Sequence, residues 1–135
     1  MKLITRNTDY ALRAICFIAK GKGKLVAVDE LVKALGVPRP FLRKLVQLLN
    51  RKKILRSYRG QGGGFALARP PEKIFLLELL GIFQGDLHLN ECFLRKSVCP
   101  NIKTCVLHKK IDKIEKYVIS ELRGINIARL LKGEI

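Results

Sequence analysis

A mainly α-helical chain carrying one small β-hairpin is what the sequence predicts, and three observations predict it. Apolar residues recur at three- and four-residue steps along most of the chain, the spacing that lines one face of a helix. A single stretch after Lys53 changes to short apolar runs flanking a glycine-rich tip. The length, 135 residues, accommodates one compact domain with a modest core, extended by a helix that needs a partner.

From Thr8 to Lys20, Ala11, Ile15 and Ile18 fall at i, i+4, i+7 with Leu12, Cys16 and Ala19 beside them, so a first helix is expected there. Gly21-Lys-Gly-Lys24 stops it. Val28, Leu31, Val32 and Leu35 repeat the spacing over a shorter helix, about 28 to 35, ending at Gly36; its cap position holds Ala27, a weak capper. Beyond Gly36-Val37-Pro38, a helix near 39–51 places Phe41, Leu42, Leu45, Leu48 and Leu49 on one face and Arg39, Arg43, Lys44, Gln47 and Arg51 largely elsewhere. Two short helices joined by a glycine-containing turn describe a helix-turn-helix.

Ile54 to Arg59, the tip Gly60-Gln-Gly-Gly-Gly64 and Phe65 to Arg69 then read as strand, turn and strand, closed by Pro70-Pro71. A hairpin directly after a helix-turn-helix is a wing. A helix from about Phe75 to Gln84 turns Leu76, Leu79, Leu80 and Phe83 inward, and Gly85-Asp86 ends it. From about Thr104 to Arg123, Leu107, Ile111, Ile114, Val118 and Leu122 build a long amphipathic helix with lysines on its other faces. Its stripe has no facing surface in a monomer of this size, so dimerisation through it is expected. A last helix, Ile127 to Leu131, starts at the capping residue Asn126. The expected organisation is therefore a winged helix-turn-helix head over 1–85, a cysteine-rich loop over 86–103, and a dimerisation helix plus C-terminal helix over 104–135.

The charge is +16 and unevenly placed: residues 1–70 hold 16 Lys and Arg against 3 Asp and Glu, residues 71–135 hold 11 against 8. Such asymmetry is the footprint of a nucleic-acid binder, because each cation near a phosphate releases condensed counterions. In a helix-turn-helix the second helix enters the major groove, which makes Arg39, Arg43, Lys44, Gln47 and Arg51 the candidates to touch DNA. Arg59 is placed to reach the neighbouring minor groove, and Gly62 and Gly63 to let the wing backbone approach phosphates. No apolar run approaches the roughly 20 residues of a bilayer span, and Asp9 and Arg13 interrupt the apolar stretch that faintly mimics an export signal. A soluble, cytoplasmic protein with no membrane partner is expected.

Between Glu91 and His108 lie three of the four cysteines, Cys92, Cys99 and Cys105, and one of the two histidines. Thiolates are soft ligands for zinc, copper(I) or iron–sulfur clusters, and in a reducing cytosol such a group is more plausible as a metal site than as disulfides. Structural zinc sites favour cysteines about two to four residues apart, unlike the six and five residues that separate these three. Cys16, on the apolar stripe of the first helix, reads as core. An enzyme is not expected: no nucleophile–base pair is evident, and glycines 60–64 lack the Lys-Ser/Thr ending of a phosphate loop. A zinc-stabilised structural DNA-binding protein and a thiol or iron–sulfur redox protein are the alternatives to a regulator.

The order of motifs, Asp9-Tyr-Ala-Leu-Arg13, the wing Gly60-Gln-Gly-Gly-Gly-Phe-Ala-Leu-Ala-Arg69, then Asn90-Glu-Cys92 and the remaining cysteines, resembles the Rrf2 family of bacterial winged-helix regulators, in its cluster-binding, IscR-like and NsrR-like branches. The resemblance spans nearly the whole chain. It implies a homodimeric transcription factor on an operator in double-stranded DNA, with a [2Fe–2S] or [4Fe–4S] cluster on Cys92, Cys99 and Cys105. For a fourth ligand it implies either Asp9, resembling the N-terminal carboxylate of NsrR-like members that reaches across from the other subunit, or His108, resembling the histidine of IscR-like members. One departure is visible: the family pattern has five residues between its first two cysteines, and this chain has six.

Overall fold

The structure is a computed structural model, and it describes residues 2–89 and 103–135. Six α-helices and a two-stranded antiparallel sheet follow one another among these residues: α1 (Arg6–Lys20), α2 (Val28–Leu35), α3 (Arg39–Arg51), β1 (Leu55–Tyr58), β2 (Gly64–Leu67), α4 (Leu76–Gln84), α5 (Val106–Arg123) and α6 (Ile127–Lys132). The mainly helical, winged architecture is as expected.

The α1 helix begins two residues earlier than the apolar spacing alone indicates. Its first turn is fixed from outside: Gln84 Oε1 accepts from the Thr5 N–H at 3.0 Å and from the Thr8 hydroxyl at 2.9 Å, while its Nε2 donates to the Leu3 carbonyl. Thr8 is fully buried and needs that partner, since an unpaired buried hydroxyl costs about 1–3 kcal/mol. The weak cap of α2 is offset by Glu30, whose carboxylate reaches back to the Ala27 N–H at 3.4 Å. Gly36 closes α2 in the left-handed conformation, φ 64°, which a side chain would strain.

On α3, Leu42, Leu45, Val46 and Leu49 face the core, and Asn50 accepts the Ser57 N–H, joining the helix to β1. Strand register pairs Leu55 with Leu67 and Tyr58 with Gly64, so Gly64 belongs to β2 and not to the tip. Val26 pairs with Phe65 through two backbone hydrogen bonds of 2.9 and 2.8 Å, which anchors the start of β2 to the segment ahead of α2. At Gly63 a Cβ would run into the Tyr58 carbonyl oxygen and come within 2.9 Å of the Gly60 carbonyl oxygen. The tight turn thus has its own steric need for glycine.

A short 3-10 turn, Pro71–Lys73, follows the wing. Arg69 cross-links three elements here: its Nη2 and Nη1 donate to Glu78 of α4 at 2.6 and 3.0 Å, and it also donates to the Lys53 and Lys73 carbonyls. Ile15, Ile18, Leu31, Leu42, Leu49, Ile54, Leu55, Ile74, Leu79 and Ile127 form the core of the head. The presence of Ile127 reflects a returning chain: Leu76 N–H donates to the Ile125 carbonyl and Ile127 N–H to the Ile74 carbonyl, so α6 packs back on the head after α5 has left it. Asn126 caps α6 as expected, its Oδ1 accepting the Arg129 N–H at 2.8 Å. The α5 helix is different. Its apolar residues Val106, Leu107, Ile114 and Tyr117 are 79, 66, 44 and 65% exposed, and Glu115 is the residue it buries.

Candidate DNA interface and metal site

The second helix of the helix-turn-helix presents a uniformly exposed polar face. Arg39, Arg43, Lys44, Gln47 and Arg51 all point to solvent while the opposite face of α3 is buried, which is the division that groove entry requires. Arg59 is exposed at the wing, next to the tip that holds Gly62 at φ 72°. Arg39, the first residue of α3, is ion-paired through Nη2 to Asp29 Oδ1 of α2. Arg59→Ala is expected to weaken operator binding about fivefold to a hundredfold, leaving sedimentation behaviour unchanged; an unaltered binding titration would remove the wing from the interface.

Of the residues expected at a metal centre, Cys92 and Cys99 lie outside the described residues. Cys105 sits at the cap position of α5, half-buried, and its Sγ accepts the His108 N–H at 3.4 Å. Asp9 lies on the first turns of α1, 45% exposed at its side chain, where its carboxylate holds the Arg13 guanidinium at 3.0 Å. Among the described residues no three His, Cys, Asp or Glu side chains gather as a metal site, so Asp9, Cys105 and His108 do not converge as a set within one protomer. Cys16 is core-packed on α1, and burial pushes its thiol up against the opposing influence of Lys20, away from the thiolate form that ligates metal.

Two side chains that periodicity did not single out tie the cysteine segment's flanks to the fold. Glu115, nearly buried, accepts the Leu89 N–H at 3.0 Å and contacts His88 Nδ1 at 3.4 Å. Gln84 joins the end of α4 to the first turn of α1 through Thr5 and Thr8, and Asp9 directly follows Thr8 on that helix. Glu115 carried a signal: it stands four residues after Ile111 and three before Val118, on their side of the helix, and an acid on an apolar face calls for a partner.

The sequence profile of the Rrf2 family, described as iron-dependent transcriptional regulators, matches residues 4–133. The chain belongs to the Rrf2 family. Its relatives include a helix-turn-helix transcriptional regulator of Aquifex aeolicus, 32% identical over 135 residues, covering 98% of this chain and 93% of that one. The regulator NsrR of Bacillus subtilis is 28% identical over 144 residues, covering 98% of each. Among solved structures, IscR of T. potens superposes with a TM-score of 0.75 at 23% identity, over 100% of this chain and 89% of that one. CymR, the global cysteine regulator of B. subtilis, superposes with a TM-score of 0.78 at 20% identity, over 98% of each. At such identities the two structures speak for the fold alone. This Rrf2 protein is thus a DNA-binding transcriptional regulator of winged-helix fold and not an enzyme. No helix among its described residues is long and apolar enough to cross a membrane.

Proposed function

We propose that the protein is a homodimeric, sequence-specific regulator whose grip on a pseudo-palindromic operator is set by an iron–sulfur cluster held by Cys92, Cys99 and Cys105, with Asp9 or His108 as fourth ligand. The observation that carries this reading is the position of Cys105, which caps the very helix whose apolar face is left exposed. Cys105 holds its sulfur at the start of α5, and cysteine sulfur is the usual protein donor to iron–sulfur clusters. Asp9, Cys105 and His108 do not gather as a set of three within one chain, which is compatible with a single fourth ligand, His108 of the same chain or Asp9 supplied by the second subunit.

When bound, the cluster supplies an inorganic centre that reacts with oxidants and nitric oxide. The chain's own residues make such a centre consequential. Cys105 fixes one flank of the cysteine segment to the start of α5, and Glu115 fixes the other, through Leu89, to the middle of that same helix. Gln84 ties the end of α4 to α1 in the reading head. A rearrangement between these anchors therefore bears on both the dimer helix and the head. Operator affinity changes only insofar as the loaded and empty states differ in free energy between two head spacings. Half-sites are expected about one helical turn apart, or a multiple of it, as two-fold symmetry dictates.

Anaerobic reconstitution with iron and sulfide, followed by absorption spectroscopy and an operator titration, tests the reading. Visible-region absorption and an operator affinity that differs at least severalfold between loaded and apo protein are expected. Equal affinities, or a colourless protein that retains zinc, would reject it in favour of a structural metal.

A further inference from the structure

Among the described residues, Arg39 is the one member of the candidate DNA-contacting set that carries an ion-pair partner, and that partner, Asp29, is one of only three acids in the first 70 residues. A carboxylate on the DNA-facing side of so basic a half repels phosphate, so its presence weakens non-specific binding. Its neighbour Glu30 already serves the start of α2 by bonding the Ala27 N–H, whereas Asp29 reaches across to the other helix. Arg39 itself stands between Pro38 and Pro40 at the first position of α3. The prolines fix the backbone on either side, which leaves the side-chain torsions as the main freedom of the guanidinium.

We infer that Asp29 is a specificity-determining positioning residue, whose carboxylate holds the Arg39 guanidinium in a fixed attitude toward one guanine of each half-site. The inference rests on the reading of α3 as the recognition helix. Nη2 engages Asp29, and the guanidinium has further N–H donors for the O6 and N7 acceptors of a guanine in the major groove. Residues at the N-terminal end of a recognition helix are the ones that meet base edges. Released from Asp29, the same side chain can swing to phosphates and bind any sequence.

The predicted signature is a split of opposite sign. Full-length wild type, Asp29→Asn and Arg39→Ala are each used to select duplexes from a random-sequence pool, and their affinities for a scrambled duplex are measured at one fixed salt concentration. Asp29→Asn should lose about tenfold of the guanine preference at the same base position that Arg39→Ala loses, and should bind the scrambled duplex a few-fold more tightly. If Asp29→Asn tightens binding to every sequence alike with the selected motif intact, Asp29 is only a negative charge and the inference fails. If it weakens both selected and scrambled binding together with a lowered melting temperature, Asp29 is structural and the inference fails again. A selected motif unchanged by Arg39→Ala would remove Arg39 from base reading, and the positioning role with it.

Discussion

Cys105→Ala is expected to abolish cluster binding, leaving anaerobically reconstituted protein without visible-region absorption and with operator affinity equal to that of apo wild type. Two effects are superposed at this residue and have to be separated. Cys105 is a candidate ligand, and its Sγ also accepts the His108 N–H as the cap of α5. Alanine removes both, and loss of a helix cap alone destabilises by about 1 kcal/mol. Cys105→Ser restores an acceptor to the cap position but offers a hard hydroxyl where iron and sulfide call for a thiolate. Serine should therefore recover the thermal stability that alanine loses while remaining colourless. Cys16→Ala removes a core-packed thiol and should keep the full absorption, with some loss of stability from the cavity. Retention of stoichiometric iron and sulfide by Cys105→Ala would overturn the ligand assignment.

How far residues alone predict the site follows from which interactions are local. Helix positions and the inward faces of α3 and α4 follow from apolar spacing, because Leu42, Leu45, Leu49, Leu79 and Leu80 are buried by a pattern that extends over few turns. The Asn126 cap is equally local. What escaped is non-local: Gln84 reaches back more than seventy residues to Thr5 and Thr8, and Asp29 crosses from α2 to Arg39. Hydrogen bonds between elements leave no periodic trace in a sequence. The return of α6 to the head, through pairing of residues 74–76 with 125–127, is likewise a contact between distant segments. The exposure of the α3 cations was legible because amphipathicity places them opposite the core. The glycines of the wing were legible as a turn, yet the Tyr58 carbonyl oxygen occupies the space that a Cβ at Gly63 would need, so part of their requirement is steric and independent of any nucleic acid.

Ile114→Glu is expected to convert the protein to a monomer and to lower operator affinity by roughly a hundredfold or more. Ile114 lies on the exposed apolar face of α5 with Leu107 and Tyr117, and none of these side chains is needed to complete the head's core. Surface substitutions away from core contacts usually change the stability of an isolated chain by about 0.5 kcal/mol or less. In a two-fold dimer the same patch meets itself, so one substitution introduces two carboxylates into a single apolar seam. Their desolvation opposes association, and each head is left with one half-site and no linked partner. Linking two binding modules can raise overall affinity by about 10²–10⁴ over either alone, and that is the gain the monomer forfeits. Sedimentation should show the mass of one chain, and the melting temperature should no longer rise with protein concentration. Binding to a single half-site measured at high protein concentration should be nearly unchanged, because Arg39, Arg43, Lys44 and Gln47 stand on α3, a different element from the altered helix. A variant that sediments as a dimer at the wild-type concentration would show that α5 is not the seam.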